Sequence, residues 1–466
     1  MPTYHVHHAE LNADETTPVA LLRRLRAYFS PAVLLESHNF EQRRDSRSII
    51  GVDALVELRY ADGALTRTDY ASSTESEQPL ERHEVFEAFR REVDAVGYVG
   101  DPGPVDGFFG FTSFDAYRFA EPDLADVGAH VFLPDLHYYF FRFLLVFDHF
   151  HERIDVREFV PEGEATELPR LLALLHQGPP PEGTFAAVGE EASSMTDEAY
   201  EAMVAAGVRH CALGDTFQVV LSRGHEQAYV GDDFVFYREL RRLNPSPYLF
   251  YFDFGQYRII GASPEALLTV RDRRAIVKPI AGTAPRTGDP AADAAAAERL
   301  LADPKENAEH RMLVDLARND LSRSCYPVRV DKLRTIEYYS HLMHIVSEVS
   351  GEIEDGRHPY EIYTQVFPAG TLSGAPKFKA VELIYRYEGT ARGAYGGGLG
   401  YVSPRGAFDH CILIRTAVSY GNTLYFRAGG GIVAASTPAG ERAEVRHKTD
   451  AIRRAIALAS EERWRA

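Results

Sequence analysis

The order of elements along the chain predicts an α+β fold built mainly from antiparallel sheets. From about residue 215 onward, strands follow one another through tight, glycine-bearing turns instead of alternating one for one with helices. Helical periodicity interrupts them near 291–319, 376–386 and 441–460.

In chain order, the first 178 residues mix short β-rich runs, AVLLES, SIIGVDALVEL and YYFFRFLLVF, with helical stretches such as VALLRRLRAYF and RHEVFEAFRREVDAV. Aromatic residues and glycine abound there, and no catalytic cluster stands out. A helix near 167–176 is followed by QGPPPEGTFAAVGEEASSM, whose prolines, glycines and small polar residues read as a linker over 179–195. Residues 196–466 then form the second region. It opens with Thr196 as an N-cap, Asp197 and Glu198 in the first turn, and a helix that stops at Gly214. The strands FQVVLSR, YLFYFDF, RIIGAS, ALLTV, AIVKPI, YSHLMHIVSEVSGEI, GGGLGYVS, HCILIRTAVSY and TLYFRAGGGIVAAS complete the pattern.

A chain of 466 residues can bury a large core, and its net charge of −18 argues against nucleic acid or an anionic membrane as the main partner. An anionic small substrate would therefore need a local positive site. No apolar run approaches the roughly 20 residues of a membrane span. The start, MPTYHVHHAELNADE, lacks the features of a signal peptide, so a cytoplasmic location is expected. Cys211, Cys325 and Cys411 are scattered without metal-ligand spacing and read as buried structural thiols. Six lysines stand against 44 arginines, and five of the six lie in or beside the motifs below. Where a site needs a compact ammonium the two residues are not interchangeable.

Two glutamate pairs carry the most chemical information: Glu306 with Glu309 in DPKENAEHRMLVDLARND, and Glu441 with Glu444 in ERAEVRHKTDAIRRAIALA. Positions three apart share a helix face, so each segment presents two carboxylates in one direction. Four convergent carboxylates are tolerable around a cation, and an all-oxygen set suits a hard ion such as Mg2+. Two solvated helix faces are the competing reading. Arg415, within CILIRTAVS, needs a partner or an anionic ligand if buried. The runs Gly396–Gly400 and Gly429–Gly431 suit either tight turns or backbone amides approaching an anion. His344 reads as a satisfied core histidine. Glu265, after a proline at a strand start, is either a turn residue or a carboxyl whose raised pKa suits a general acid.

Taken in order, DTFQVVLSR, NPSPYLFYF, GASPE, KPIAGTAPR, DPKENAEHRMLVDLARNDL, MHIVS, FPAGTLSGAPK, YGGGLGY, CILIRTA, AGGGIV and the closing Glu-x-x-Glu helix resemble the chorismate-utilising enzymes. Within them the likeness is to the anthranilate synthase component I family. It is dense over about 196–460 and sparse before that, where LLES at 34–37 carries it. The resemblance implies a sandwich-like fold flanked by helices and a Mg2+-dependent reaction on chorismate. Glu309 and Glu444 would ligate the metal, with Glu306 and Glu441 behind them or also coordinating. Arg415, Tyr395 and the amides of Gly429, Gly430 and Gly431 would meet the enolpyruvyl carboxylate, with Lys448 retained beside the closing glutamates. Gly282, Thr283 and Ala284 would line the pocket. Glu265 would protonate the leaving 4-hydroxyl, and His344 and Thr371 would act around the ring hydroxyl and the later loss of pyruvate.

Two positions separate members of the family. Those that add water carry a lysine base where this chain has Gln218, and a glutamine cannot deprotonate water, whereas ammonia is already a nucleophile. Aminodeoxychorismate synthases carry a nucleophilic lysine in PIKGT where this chain has Ala281 in PIAGT. Both positions imply ammonia addition and anthranilate as product. With no glutaminase motif present, a separate glutamine amidotransferase subunit, component II, is the implied partner, in a heterodimer or heterotetramer. LLES and NPSPY further imply a tryptophan feedback site at Ser37, Arg47, Pro247, Tyr248 and Leu249, with Glu36 adjacent. Arg47 stands there for the usual lysine and Leu249 for the common methionine. In the last helix Ala443 and His447 also depart from the family pattern. A folate-pathway aminodeoxychorismate synthase and a silent tryptophan-binding regulator are the rival functions.

Overall fold

The computed structural model describes residues 3–37, 46–178, 180–338 and 342–461. Strand Arg47–Ala61 pairs on one edge with Ala32–Ser37 and on the other with Leu136–Asp148. From Ala32–Ser37 the ladder continues through Tyr248–Asp253 and Tyr257–Ser263 to Thr416–Tyr420. From Leu136–Asp148 it continues through Phe108–Thr112, Gly398–Val402 and Phe408–Ile412 to Ala266–Arg271. Tyr257–Ser263 leads into Ala266–Arg271, and Phe408–Ile412 leads into Thr416–Tyr420, so the two arms meet and close a ring of strands. Among the described residues one ladder is parallel, between Thr3–Asn12 and Gly97–Val99; the others are antiparallel. The expected α+β class with antiparallel sheets is what the chain adopts.

Burial follows the sequence pattern. FFGFT at 108–112 is buried at every residue because it is covered on both faces, and Phe108, Phe140, Tyr138 and Phe89 form part of an aromatic core with helix Val85–Asp94. A second core lies under helices Pro18–Leu25, Asp233–Leu243 and Pro438–Ala459, where Leu21, Phe234, Leu240 and Ile456 meet the sheet.

The structure revises four expectations. The segment 179–195 is not wholly a linker: Phe185–Ser193 pairs as a strand with Gln218–Gly231. The sequence hid it because the strand is mostly solvent-exposed and lacks an apolar face. The single helix near 291–319 is two, Pro290–Ala302 and Pro304–Leu321, hinged at Asp303, whose carboxylate accepts from the amides of Lys305 (2.8 Å) and Glu306 (3.1 Å). Arg415 is not inside a strand. It sits with φ of 51° in the gap between Phe408–Ile412 and Thr416–Tyr420 and is half-buried. The cysteines form no disulfide, and Cys211 is half-buried where full burial was expected.

A fully buried ion pair ties the site's supports together. Glu388, the last residue of helix Lys377–Glu388, receives Arg392 through Nε (3.0 Å) and Nη2 (2.5 Å) and Arg427 Nη1 (2.6 Å). The backbone amide and hydroxyl of Ser222 donate to it as well, at 2.8 and 2.9 Å. Arg392 also donates to the carbonyls of Val220 and Leu372, each at 2.6 Å. Despite burial, the two guanidinium groups hold the Glu388 carboxyl below its ordinary pKa. Arg392→Met is expected to lower stability by about 3–5 kcal/mol, because it removes one partner of a buried charge. A urea unfolding midpoint measured beside that of an exposed substitution such as Arg153→Met checks this.

Candidate functional site

The ladder of the ring splits once between Gly261↔Thr416 and Ala266↔Cys411. Glu265 lies on one side of that gap and Arg415 on the other. The backbone still bridges it: Ile412 donates to the Glu265 carbonyl (3.0 Å) and Ala262 to the Arg415 carbonyl (3.2 Å). The Arg415 charge acts on the Glu265 carboxyl across this gap.

Glu265 is only 8% exposed, and its Oε1 accepts from Thr371 Oγ1 at 3.0 Å. Burial pushes its pKa up from 4.5 to about 7, against the Thr371 hydrogen bond and the more distant charges of Arg415 and Lys448. About half of it is therefore protonated at neutral pH, which keeps a proton donor populated there. His344, on strand Leu342–Ile353, donates Nδ1–H to the Gly282 carbonyl (3.0 Å) and lies 3.1 Å from Thr283 Oγ1. Burial lowers its pKa to about 4, so the ring is neutral with Nε2 as its lone-pair nitrogen. Gly282 takes φ of 72° opposite this ring, and the space where a side chain would begin lies 3.1 Å from Glu306 Oε2. Ala284 packs instead against the small cluster of Leu300, Met343 and Ile345.

The two glutamate helices do converge. Burial raises the pKa of Glu306 and Glu309, and Glu444 on the other helix raises both further by repulsion. Glu441 is likewise raised, by burial and then by Glu444, and its Oε2 is buried without a hydrogen-bond partner. As placed, no three His, Cys, Asp or Glu side chains among the described residues are gathered closely enough to ligate one ion. The donor chemistry nonetheless fits a hard divalent cation, since mutually repelling carboxylates and an orphaned buried oxygen are what such an ion relieves. Lys448 bridges the region, donating to the Gly429 carbonyl (2.9 Å) and pairing with Glu444 Oε1 (2.7 Å).

Gly429, Gly430 and Gly431 lie in strand Thr423–Ile432, paired with Ser222, Leu221 and Val220, not in a turn. A methyl on Gly430 would displace the Glu441 carboxylate and one on Gly431 the Gln218 amide, so the bare backbone keeps both side-chain ends where they are. Gln218 is 2% exposed, and its Oε1 has no hydrogen-bond partner. Tyr395 is buried beside Arg392, whose guanidinium lies 5.4 Å from its ring centre.

Two contributors escaped sequence reasoning. Lys305 lowers the pKa of Glu306, Glu309 and Glu441, and its signal was its place among six lysines. Tyr200, whose hydroxyl donates to the Leu221 carbonyl (3.1 Å), is acted on by the charges of Glu441 and Glu444 and carried no signal.

The six residues of the implied feedback site do not share one face. Ser37 is the cross-strand partner of both Tyr248 and Arg47, which places those three side chains on one side of the sheet beside Pro247. Glu36 and Leu249 point to the other side. There Arg241 grips Glu36 with two bonds of 2.7 Å, Tyr237 adds a third, and Leu249 joins the core under the helices.

A family model described as chorismate binding enzyme matches residues 30–454. The anthranilate synthase component 1 of Cereibacter sphaeroides is 38% identical over 96% of this chain and 93% of its own length. That of Thermus thermophilus is 37% identical over 96% of each. The crystal structure of anthranilate synthase component I from Streptococcus pneumoniae superposes with a TM-score of 0.78 at 31% identity, covering 87% of this chain and 92% of that one. The Escherichia coli isochorismate synthase MenF shares the fold, with a TM-score of 0.74 at 18% identity over 98% and 96% of the two chains.

Glu265 sets a pH signature. Its folded pKa of about 7 lies above the unfolded 4.5, so the stability it contributes is full below pH 4.5 and lost as pH rises through 7. Glu265→Gln is expected to abolish that loss, gaining on the parent by about 3 kcal/mol between pH 4.5 and 8. Urea unfolding across the range measures it.

Proposed function

This chain belongs to the family of chorismate binding enzymes, and we propose that it is the synthase component of an anthranilate synthase, converting chorismate and ammonia to anthranilate, pyruvate and water. The observation that carries the reading is the pairing of a buried carboxyl that still holds a proton near pH 7, Glu265, with an amide, Gln218, where a water-adding relative would need a base.

Glu265 gives its proton to the 4-hydroxyl as the C4–O bond breaks, and water departs. Ammonia adds at C2, its N–H accepted by the unpartnered Oε1 of Gln218. Arg415, Lys448 and Tyr395, with the amides along Gly429–Gly431, hold the enolpyruvyl carboxylate and supply the positive charge that a chain of net −18 otherwise lacks. Neutral His344, held by Gly282 and Thr283, presents Nε2 to the ring region, where proton removal at C2 accompanies loss of pyruvate. Glu309 and Glu444, with Glu306 and Glu441, would hold Mg2+, which supplies charge for the ring carboxylate. Ala281 offers no amine to attack the ring, which favours anthranilate over aminodeoxychorismate. A component II amidotransferase would deliver ammonia from glutamine. Tryptophan feedback would act at the face carrying Ser37, Arg47, Pro247 and Tyr248, with Glu36 and Leu249 shaping it from behind.

Incubation of the purified chain with chorismate, Mg2+ and an ammonium salt is expected to yield anthranilate and pyruvate in equal amounts, and neither without Mg2+. Accumulation of aminodeoxychorismate would overturn the reading. Glu309→Gln and Glu444→Gln are each expected to cut kcat at least about 100-fold at fixed Mg2+, since each removes one charge of the carboxylate set. At constant free ammonia, kcat should fall as pH rises through 7, where Glu265 loses its proton.

A further inference from the structure

A cavity of about 40 Å3 lies behind Glu265 and Thr371, walled by Leu316, Ala317 and Asp320 of helix Pro304–Leu321 and by Lys278. Arg415, His344, Tyr395, Lys448 and the four metal-side glutamates do not line it. It is large enough for about two or three waters. Lys278, with 41% of its side chain exposed and its ammonium 3.6 Å from Glu348, stands at the solvent side. Asp320, bound by the buried Lys377 ammonium at 3.1 Å, closes another wall. Gly370 lines it too, because a methyl there would collide with Leu316.

The proposed reaction makes a demand that this cavity meets. Each turnover spends the Glu265 proton on the departing hydroxyl, while the nitrogen bonded to C2 sheds a proton, so the balance closes only if one returns to the Glu265 carboxylate. The substrate side is filled by ring and product at that moment, and Glu265 is otherwise enclosed. Thr371 touches both sides: its hydroxyl donates to Glu265 Oε1 and it borders the cavity. We propose that the cavity behind Glu265 is its proton-reloading port, in which water hands a proton to Thr371 while Thr371 passes its own to the Glu265 carboxylate, and bulk solvent on the Lys278 side returns a proton to that water in place of the one the substrate nitrogen sheds. This rests on the functional reading above and assigns Thr371 a relay within it. The polar walls at Lys278 and Asp320 keep the cavity hydrated, where a wholly apolar void of this size would stay dry.

Rapid-quench kinetics with chorismate, Mg2+ and ammonium on Ala317→Leu, and separately on Ala369→Val from the opposite wall, test the port. At pH 6, below its pKa of about 7, Glu265 enters the first turnover mostly protonated. Each variant is therefore expected there to make nearly one anthranilate per site at the parent rate and later ones at least about tenfold more slowly, with kcat/KM for chorismate unchanged and a larger solvent deuterium isotope effect on kcat. The parent should show no burst. A variant with a linear time course at the parent rate, or a first turnover as slow as the rest, would overturn the port. A parent chain that makes no anthranilate would sink the functional reading and the port with it.

Discussion

The proposed acid chemistry of this fold depends on one interruption of a hydrogen-bonded ladder. The ring of strands is paired from Tyr257 to Gly261 and from Ala266 to Val270, and opens between them, where Pro264 and Glu265 face the backbone of Leu413–Arg415. A continuous ladder would alternate Glu265 and Arg415 between faces by the period of two. In the gap Arg415 takes a left-handed φ, and its charge reaches Glu265. Strain of that kind persists because the surroundings are rigid, and the Glu388–Arg392–Arg427 cluster supplies rigidity from beneath by locking helix, turn and two strands to one buried carboxylate.

Electrostatics within the site divide by depth. Deep in the gap, burial wins over distant positive charges, raising the Glu265 pKa to about 7 and keeping His344 neutral. Toward the helix termini, carboxylates repel one another, with Lys305 and Lys448 as partial counterweights. The acid proposed to donate and the carboxylate set proposed to hold a cation need opposite environments. The fold supplies both by placing one in a strand gap and the other at two helix starts, where Glu306 and Glu441 occupy first turns favourable to negative charge. The glycine strand links the regions, its missing side chains giving Glu441 and Gln218 room on opposite faces.

The antiparallel character, most helices and the pairing of glutamates were legible in the sequence because they depend on local periodicity. The exposed strand Phe185–Ser193 was not, since an edge strand without an apolar face has no period to detect. Nor was the split at Asp303, where one capping residue serves two helices. Glycines 429–431 were visible as a run, but their reason lies in side chains arriving from other elements.

The sequence by itself determined which chemistries are available: a general-acid candidate, a carboxylate set, an amide in place of a base, and an alanine in place of a nucleophile. These are identities, and identities do not depend on folding. Tertiary structure decided their states and company. Only burial turns Glu265 into an acid that keeps its proton near pH 7, and only the strand register places Glu36 and Leu249 on the face opposite Ser37, Arg47 and Tyr248. Desolvation and facing are properties of what surrounds a residue, and most of what surrounds these residues comes from distant parts of the chain.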